Sequence, residues 1–207
     1  SNIIGTIIFF LVEGDHFLRK VKYPIVDALF NSISFRTAGF ASFDFSNAKE
    51  STYLLFSILM FIGGGSISVA GGIKMNTIAI MVIALISFIR GYQFLYFLRK
   101  EIDIQSLVRA CAVFIGGVIF LILSIIVFYE TIYNEKFSKI VFEITSAFGT
   151  VGTSSGLVNK NLPTISKIIL IIIMFTGKIG LITILSIMSR KKTKSIGNLP
   201  KEKIIVG

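Results

Sequence analysis

The sequence predicts an all-α integral membrane protein built from tandem repeats, in which two spanning helices flank a re-entrant helix. The 207 residues are 54% hydrophobic and 15% charged, whereas soluble domains carry about 25% charged residues. The apolar residues form continuous runs, and one motif recurs about half a chain apart. These observations exclude an ordinary soluble enzyme. They also argue against a transmembrane barrel, whose strands alternate apolar and polar residues.

Two apolar runs are long enough to cross a membrane. Residues 110–129 form a clean span, and residues 164–188 form the last one, with Lys178 inside it. A spanning helix needs about 20 apolar residues. The first run, residues 3–12, is much shorter. We therefore expect residues 1–13 to be the outer half of a spanning helix whose polypeptide continues upstream.

The distribution of charge predicts the orientation of these spans. The loop 90–109 and the tail from Arg190 carry ten Lys and Arg residues against three acids. Basic loops stay on the cytoplasmic side of a membrane, so we expect this loop and the C-terminal tail to be cytoplasmic. Topology and attraction to lipid headgroups then explain the net charge of +10, and nucleic-acid binding is not expected.

Two short segments are predicted to enter the membrane and return. Residues 23–40 and 140–153 each begin and end on the outer side and are too short to cross. Each is expected to form a short helix followed by an extended stretch. Irregular backbone at membrane depth is tolerated where protein or a water-filled path surrounds it. The two segments therefore indicate a polar path through the protein.

The two re-entrant segments belong to a sequence repeat. Thr37-Ala38-Gly39 aligns with Thr150-Val151-Gly152 at an offset of 113, and residues 60–63 align with residues 174–177 at an offset of 114. The chain accordingly divides into units 1–100 and 101–207, each consisting of a span, a re-entrant helix, a Thr-x-Gly stretch and a span. Two units do not close a ring around a pore. Upstream units or a second subunit are expected to complete it.

The Thr-x-Gly stretches are candidate ion-selectivity filters. An extended backbone after a short re-entrant helix can direct its carbonyl oxygens at a dehydrated cation, which the carbonyl end of the helix also favours. Gly152 is expected to adopt dihedral angles that other residues avoid, and to keep side chains out of a narrow path. We define Thr37-Ala38-Gly39-Phe40 as the first candidate filter and Thr150-Val151-Gly152-Thr153 as the second. A glycine turn without function is the alternative.

A glycine-rich segment, residues 63–74, interrupts the apolar stretch between residues 52 and 89; we call it the glycine loop. It holds five glycines, and each weakens a helix by about 1 kcal/mol relative to Ala. We expect the helix to unwind here and the freed backbone groups to line the path, because lipid cannot satisfy them. The predicted function is a movable gate made of Gly63, Gly64, Gly65, Ser66, Ile67, Ser68, Gly71 and Gly72. Close helix packing through small residues is the alternative.

Three basic residues lie within or beside these elements. Lys178 is costly in the middle of a span, so we assign it to the gate, facing the path, with snorkelling to the interface as the alternative. Lys74, which follows the glycine run, is equally compatible with snorkelling. Arg36 precedes Thr37 and would brace the first re-entrant helix through a carboxylate, for which Glu143 is one candidate.

Other chemistry has little support in the sequence. A single His, His16, and a single Cys, Cys111, exclude a His/Cys metal cluster and an intrachain disulfide. An intramembrane serine hydrolase would use Ser66 or Ser154, but such a nucleophile needs a base within hydrogen-bond reach. His16 lies on the wrong side of the membrane or outside it. We therefore expect no enzymatic activity and no covalently bound cofactor.

Five strings of residues span nearly the whole chain in one order: Ser34-Phe35-Arg36-Thr37-Ala38-Gly39-Phe40, Met60-Phe61-Ile62-Gly63-Gly64, Ala70-Gly71-Gly72-Ile73-Lys74, residues 142–152 and Met174-Phe175-Thr176-Gly177. In these strings the sequence resembles the Trk/Ktr/HKT superfamily of cation transport subunits. The resemblance implies a potassium-channel-like architecture of four units around one pore, of which this chain matches the third and fourth. It implies that filter glycines fall on Gly39 and Gly152, the gating loop on residues 63–74 and a pore-facing Arg on Lys178.

The resemblance further implies K+ uptake across the bacterial plasma membrane, with K+ held at the filter. The implied partners are the N-terminal units of the same polypeptide, a second copy in a homodimer and a cytosolic nucleotide-binding regulatory subunit. Permeation by Na+, or by both ions, is the alternative, because two filters lie outside this sequence. An inactive half-protein is a third interpretation.

The sequence departs from the family pattern at two places. Residues 65–69, Gly-Ser-Ile-Ser-Val, stand where the family usually carries Ser-Pro-Gly-Ser-Thr. Lys178 stands where the family has Arg, which keeps the charge but loses the planar five-donor group.

Overall fold

The computed structural model describes residues 6, 7, 10, 23–42, 45–65, 70–91, 96, 97, 100–132 and 135–180. The predicted gate residues Ser66, Ile67 and Ser68 lie outside the described residues, as do His16 and the basic tail from Arg190.

Six α-helices follow one another in the described part of the chain: α1 (Pro24–Ser34), α2 (Glu50–Phe61), α3 (Met75–Ile89), α4 (Ile104–Thr131), α5 (Phe137–Gly149) and α6 (Thr164–Ile179). A 3-10 turn at Phe45–Asn47 separates α1 from α2. The antiparallel strands β1 (Tyr96–Phe97) and β2 (Lys100–Glu101) form a small hairpin between α3 and α4. The predicted all-α class is confirmed, with this hairpin as an addition.

Helix α4 corresponds to the predicted span 110–129. It has 28 residues and is about 42 Å long at 1.5 Å per residue. Within the described residues it is the one helix that is long and apolar enough to cross a membrane. It begins at Ile104, so residues 104–109 at the end of the polar segment 90–109 are helical. An N-terminal helical extension is compatible with polar residues because it lies beyond the apolar span.

The helix preceding the glycine loop ends where the sequence predicts. Helix α2 stops at Phe61, and α3 starts at Met75. Ile62 and Ile73 form a parallel bridge, so the chain leaves the loop in the direction in which it entered. The prediction that the glycines interrupt a helical stretch is confirmed. Together α2 and α3 have the length of one interrupted span, about 40 Å.

An aromatic cluster packs α1, α2 and α5 together. The rings of Phe35 and Phe56 stack at 4.0 Å, and Phe142 of α5 meets Phe35 edge to face at 6.0 Å. All three side chains are completely buried. A second apolar cluster joins α4, α5 and α6 through Phe128, Ile144 and Ile173. Helix α5 belongs to both clusters and is therefore the central element of the described structure.

Long apolar side chains remain exposed on the outer faces of α4 and α6. They include Ile115, Ile119, Ile122 and Ile126 on α4, and Ile165, Ile168, Ile171, Ile172 and Phe175 on α6. Soluble monomers rarely expose contiguous apolar surface of this extent. These faces fit contact with lipid or with further protein units.

Candidate functional site

The second candidate filter begins directly after α5, and two residues separate the first from the end of α1. Pro24 occupies the first turn of α1, where its missing amide costs no hydrogen bond. At the other end of this helix, the Ala38 amide donates to the Ser34 carbonyl oxygen at 2.9 Å. After α5, the Val151 amide donates to the Ser146 carbonyl oxygen at 2.9 Å. The two filters therefore leave their helices through similar hydrogen-bonded turns.

The two candidate filters share a pattern of backbone dihedral angles. Thr37 and Gly39 have φ values of 85° and 77°, and the aligned residues Thr150 and Gly152 have 53° and 90°. The expectation that Gly152 adopts an unusual dihedral angle is confirmed. A positive φ is uncommon for a β-branched residue such as Thr, and outliers of this kind are concentrated at functional sites.

The two candidate filters contact each other. A Cβ atom built on Gly39 would collide with the Val151 carbonyl oxygen, and would lie 3.7 Å from the Gly152 Cα atom. Gly39 therefore has to be glycine for two reasons, its positive φ and this close approach. A Cβ atom on Gly152 meets no described atom within 4 Å, so there the constraint is the backbone dihedral angle alone.

A serine on each short helix holds the backbone of its filter. Ser34 Oγ donates to the Phe40 carbonyl oxygen, and Ser146 Oγ donates to the Thr153 carbonyl oxygen at 2.6 Å. Phe40 and Thr153 occupy the same position, one residue after each filter glycine. These two serines were not among the residues predicted to form the filters. Their location in the last turns of two short polar helices is the signal that would have identified them.

The backbone from Val151 to Ser155, in and just after the second candidate filter, belongs to no helix or strand. Exposure alternates along it, as in an extended chain, since Val151, Thr153 and Ser155 are buried while Gly152 and Ser154 are exposed. A cavity of about 340 Å³ lies beside this segment; its lining includes Thr150, Gly152, Thr153, Leu170 and Met174. An extended backbone at the edge of a cavity can offer successive carbonyl groups to a cation.

The glycine loop is closed at its base by backbone hydrogen bonds. The Gly63 amide donates to the Ile73 carbonyl oxygen at 2.9 Å, and the Ile73 amide donates to that of Phe61 at 3.1 Å. A Cβ atom on Gly63 would collide with the Gly71 carbonyl oxygen. Close packing through small residues, the alternative interpretation, therefore describes some of these glycines. It does not describe Gly65, where a Cβ atom would meet no atom of the described residues within 4 Å.

The glycine loop also contacts the second candidate filter. The Gly71 amide donates to Thr150 Oγ1 at 3.0 Å. Gly72 has a φ of 73°, and Gly64 accepts a hydrogen bond from the Met75 amide at 3.1 Å. The structure thus brings Gly63, Gly64, Gly71 and Gly72 together in one element that contacts Thr150.

The two intramembrane lysines lie near each other. Lys74 Nζ donates to the Ala70 carbonyl oxygen within the glycine loop. Lys178 occupies the last turn of α6 and is exposed, and it is close enough to Lys74 for the two charges to repel. Next to it, Gly177 allows α6 to approach the Phe148 carbonyl oxygen so closely that a Cβ atom would collide with it.

Glu143, one candidate partner of Arg36, instead contacts serines of its own unit. The Glu143 carboxylate accepts hydrogen bonds from Ser154 and Ser155, which follow the second candidate filter. In the part of the chain that the structure describes, the ion pair found is Lys136 with Glu50, at 2.9 Å. Serines close in sequence reach the carboxylate, so it does not require a cation from the other unit.

Comparison with known proteins matches these elements to a family. The family model of the TrkH cation transport proteins matches residues 2–196. This chain belongs to that family. It is 33% identical to the Ktr system potassium uptake protein D of Bacillus subtilis, over 99% of the chain and 46% of the relative. It is 36% identical to the Ktr system potassium uptake protein B of the same organism, over 94% of the chain and 44% of the relative.

Two further comparisons extend the family assignment. The potassium/sodium uptake protein NtpJ of Enterococcus hirae is 32% identical over 99% of the chain and 47% of its own length. The crystal structure of the potassium transporter TrkH from Vibrio parahaemolyticus superposes with a TM-score of 0.72 at 19% identity, covering 91% of this chain and 42% of that one. The fold is therefore the all-α membrane fold of this family, and the chain spans less than half the length of the relatives it matches.

The family assignment decides between classes of function. It is a family of cation transport proteins in the membrane, so the serine hydrolase alternative is set aside and the protein is not an enzyme. The Ser154 hydroxyl, one of the two candidate nucleophiles, donates to the Glu143 carboxylate at 2.6 Å.

Proposed function

We propose that this chain supplies the third and fourth of four pore-lining units, residues 1–100 and 101–207, in a K+-conducting transporter. The observation that carries the proposal is the pair of candidate filters, which have matching positive φ values and contact each other at the ends of two short helices. The names of the two Bacillus relatives support K+ as the transported ion.

The proposed mechanism is passive, gated flow. Carbonyl oxygens of Thr37–Phe40 and Thr150–Thr153 replace part of the hydration shell of K+, and the carbonyl ends of α1 and α5 favour the cation. An inside-negative membrane potential supplies about 2.3 kcal/mol per charge for each 100 mV. The protein therefore needs to provide a selective path and a gate, and no chemical step.

The proposed gate is the glycine loop together with Lys178. Its support is the hydrogen bond from Gly71 to Thr150 and the proximity of Lys178 to Lys74. In the proposed closed state, the loop obstructs the path from the side on which Gly71 contacts Thr150. Displacement of the loop would open it.

The proposed assembly follows from the family and from the charge distribution. The other two units of the same polypeptide complete the pore, a second copy forms a homodimer, and a cytosolic nucleotide-binding subunit regulates the gate. The names of the Ktr relatives, which refer to a system, support additional components. The protein is placed in the bacterial plasma membrane, with the basic loop 90–109 and the C-terminal tail in the cytoplasm.

Permeation by both Na+ and K+ is the second candidate function. One relative, NtpJ, is named as a potassium/sodium uptake protein and is 32% identical to this chain. The decisive experiment expresses the complete reading frame in cells that lack K+ transport and measures K+ and Na+ uptake. Growth at low K+ with little Na+ entry supports a K+ transporter. Equal entry of both ions supports the second candidate, and no flux in a well-expressed protein contradicts both.

A further inference from the structure

Each of the short helices α1 and α5 carries a buried polar side chain that reaches past its filter. Asn31 is fully buried, and Glu143 is 3% exposed. Asn31 binds Ser42, and Glu143 binds Ser155. Each of these serines is three residues beyond its filter glycine, Gly39 or Gly152. In each unit, the serine three residues beyond the filter glycine is therefore hydrogen-bonded to the short helix of that unit.

The contacts of Glu143 require an acceptor. Its Oε1 atom accepts from the Ser155 amide at 2.7 Å, from Ser155 Oγ at 2.9 Å and from Ser154 Oγ at 2.6 Å. The Leu157 amide also interacts favourably with the negative charge of the carboxylate. The Gly156 amide donates to Ser154 Oγ at 3.0 Å, which orients that hydroxyl toward Glu143. A carboxylate has two oxygens that accept hydrogen bonds and no amide hydrogens to oppose these donors, so it suits this set of contacts.

The contacts of Asn31 require an amide instead. Its Oδ1 atom accepts from the Ser42 amide at 3.1 Å. Its Nδ2 group donates to Ser42 Oγ at 2.9 Å and to the Asp27 carbonyl oxygen at 2.8 Å. A carboxylate at this position would face the Asp27 carbonyl oxygen with no hydrogen to donate. The two units therefore fix equivalent backbone positions with side chains of opposite hydrogen-bonding character.

We propose that Glu143 and Asn31 are specificity-determining positioning residues, one for each filter, and that carboxylate and amide cannot be exchanged between them. This inference rests on the proposed transport function. Together with Ser146 and Ser34, they hold each filter at two points beyond its glycine, so the spacing of the carbonyl groups depends on them. Rigid supporting contacts of this kind set the precision of a binding site.

The test uses the complete protein in K+-transport-deficient cells and in proteoliposomes, with the ratio of K+ to Na+ flux as the readout. Glu143→Gln and Asn31→Asp are each expected to lower this ratio about tenfold. Each variant loses a hydrogen bond in a buried site and places two donors, or two acceptors, opposite each other. Glu130→Gln and Asn159→Asp are the matched controls, because both residues are exposed and lie outside the filters. They are expected to leave the ratio unchanged.

A second pair of variants tests the same contacts with smaller changes, in case Glu143→Gln fails to fold. Ser155→Ala removes one hydroxyl donor and keeps the backbone amide, and Ser154→Ala removes the other, so both are expected to lower the ratio by a smaller factor. If Glu143→Gln does not reach the membrane, these two variants decide. Unchanged ratios in well-expressed Glu143→Gln, or in both serine variants, overturn the inference while K+ transport by the parent stands. A parent that conducts another cation contradicts the proposed substrate, and the same variants are then compared for that cation.

Discussion

The backbone amide of Gly71 donates a hydrogen bond to the side-chain oxygen of Thr150 across 3.0 Å, which joins the glycine loop to the second candidate filter. A Cβ atom on Gly71 would lie 2.6 Å from that oxygen and 2.9 Å from the Gly149 carbonyl oxygen. Contact at this distance requires glycine. Any displacement of the loop from the filter must break this hydrogen bond, so Thr150 serves the loop with its side chain as well as the filter with its backbone.

Replacement of Thr150 tests this contact. Thr150→Val keeps the shape of the side chain but leaves the Gly71 amide without an acceptor, which costs about 1–3 kcal/mol. We expect the loop to be displaced more often and the K+ flux to rise about fivefold or more, a factor that corresponds to the lower end of that range. Thr150→Ser retains the hydroxyl group and is expected to behave like the parent. Equal fluxes in the Val and Ser variants would separate the loop from gating.

Two loop glycines offer a matched steric comparison. Gly71→Ala places a methyl group against Thr150 and Gly149, whereas Gly65→Ala places one where no atom of the described part of the chain lies within 4 Å. We expect the first variant to push the loop away and increase flux in proteoliposomes, and the second to stay close to the parent. If both variants leave the flux unaltered, the loop is a packing element, as the alternative interpretation holds.

The filter glycines are predicted to differ in their tolerance of serine. Gly152→Ser imposes a side chain on a φ of 90° without a collision, and Gly39→Ser adds a collision with the Val151 carbonyl oxygen to a φ of 77°. Both variants are expected to lose preference for K+ over Na+, and Gly39→Ser is expected to lose more thermal stability. The measurements are flux ratios and melting temperatures in detergent.

Gly91 provides the control for backbone strain in these variants. It has a φ of 68° and, like Gly152, no described atom within 4 Å of its Cβ position, but it follows α3 outside both filters. Gly91→Ser is therefore expected to cost stability without altering ion selectivity. A change of selectivity in Gly91→Ser, or none in Gly152→Ser, would contradict the assignment of the second filter.

The charge of Lys178 is predicted to control the rate of transport. Lys178→Gln removes a positive charge beside Lys74 and the glycine loop, which lowers the barrier that a cation meets there. We expect a higher maximal K+ uptake rate at an unchanged amount of folded protein. Lys178→Arg keeps the charge and is expected to match the parent. A silent Lys178→Gln would place the lysine outside the ion path.

Several features of the molecule were predictable from the sequence because they depend on neighbours along the chain. Apolar length predicted the span within α4, and clustered glycines predicted the interruption between Phe61 and Met75. The unusual φ of Gly152 was also expected, because glycine lacks the Cβ atom that closes this region to other residues. The length of an apolar run and the backbone freedom of glycine depend only on the local sequence, so both can be predicted from it.

The tertiary structure alone decided which groups meet. Gly71 and Thr150 are 79 positions apart, and nothing in either segment indicates the other as its partner. The same holds for Gly39 against Val151, whereas Glu143 bonds to nearby serines in place of the expected Arg36. A polar group pairs with whatever the packing of α1, α2 and α5 brings within about 3 Å. The sequence by itself therefore determined a membrane fold with two filter-like stretches and a broken helix, and packing determined how these elements hold one another.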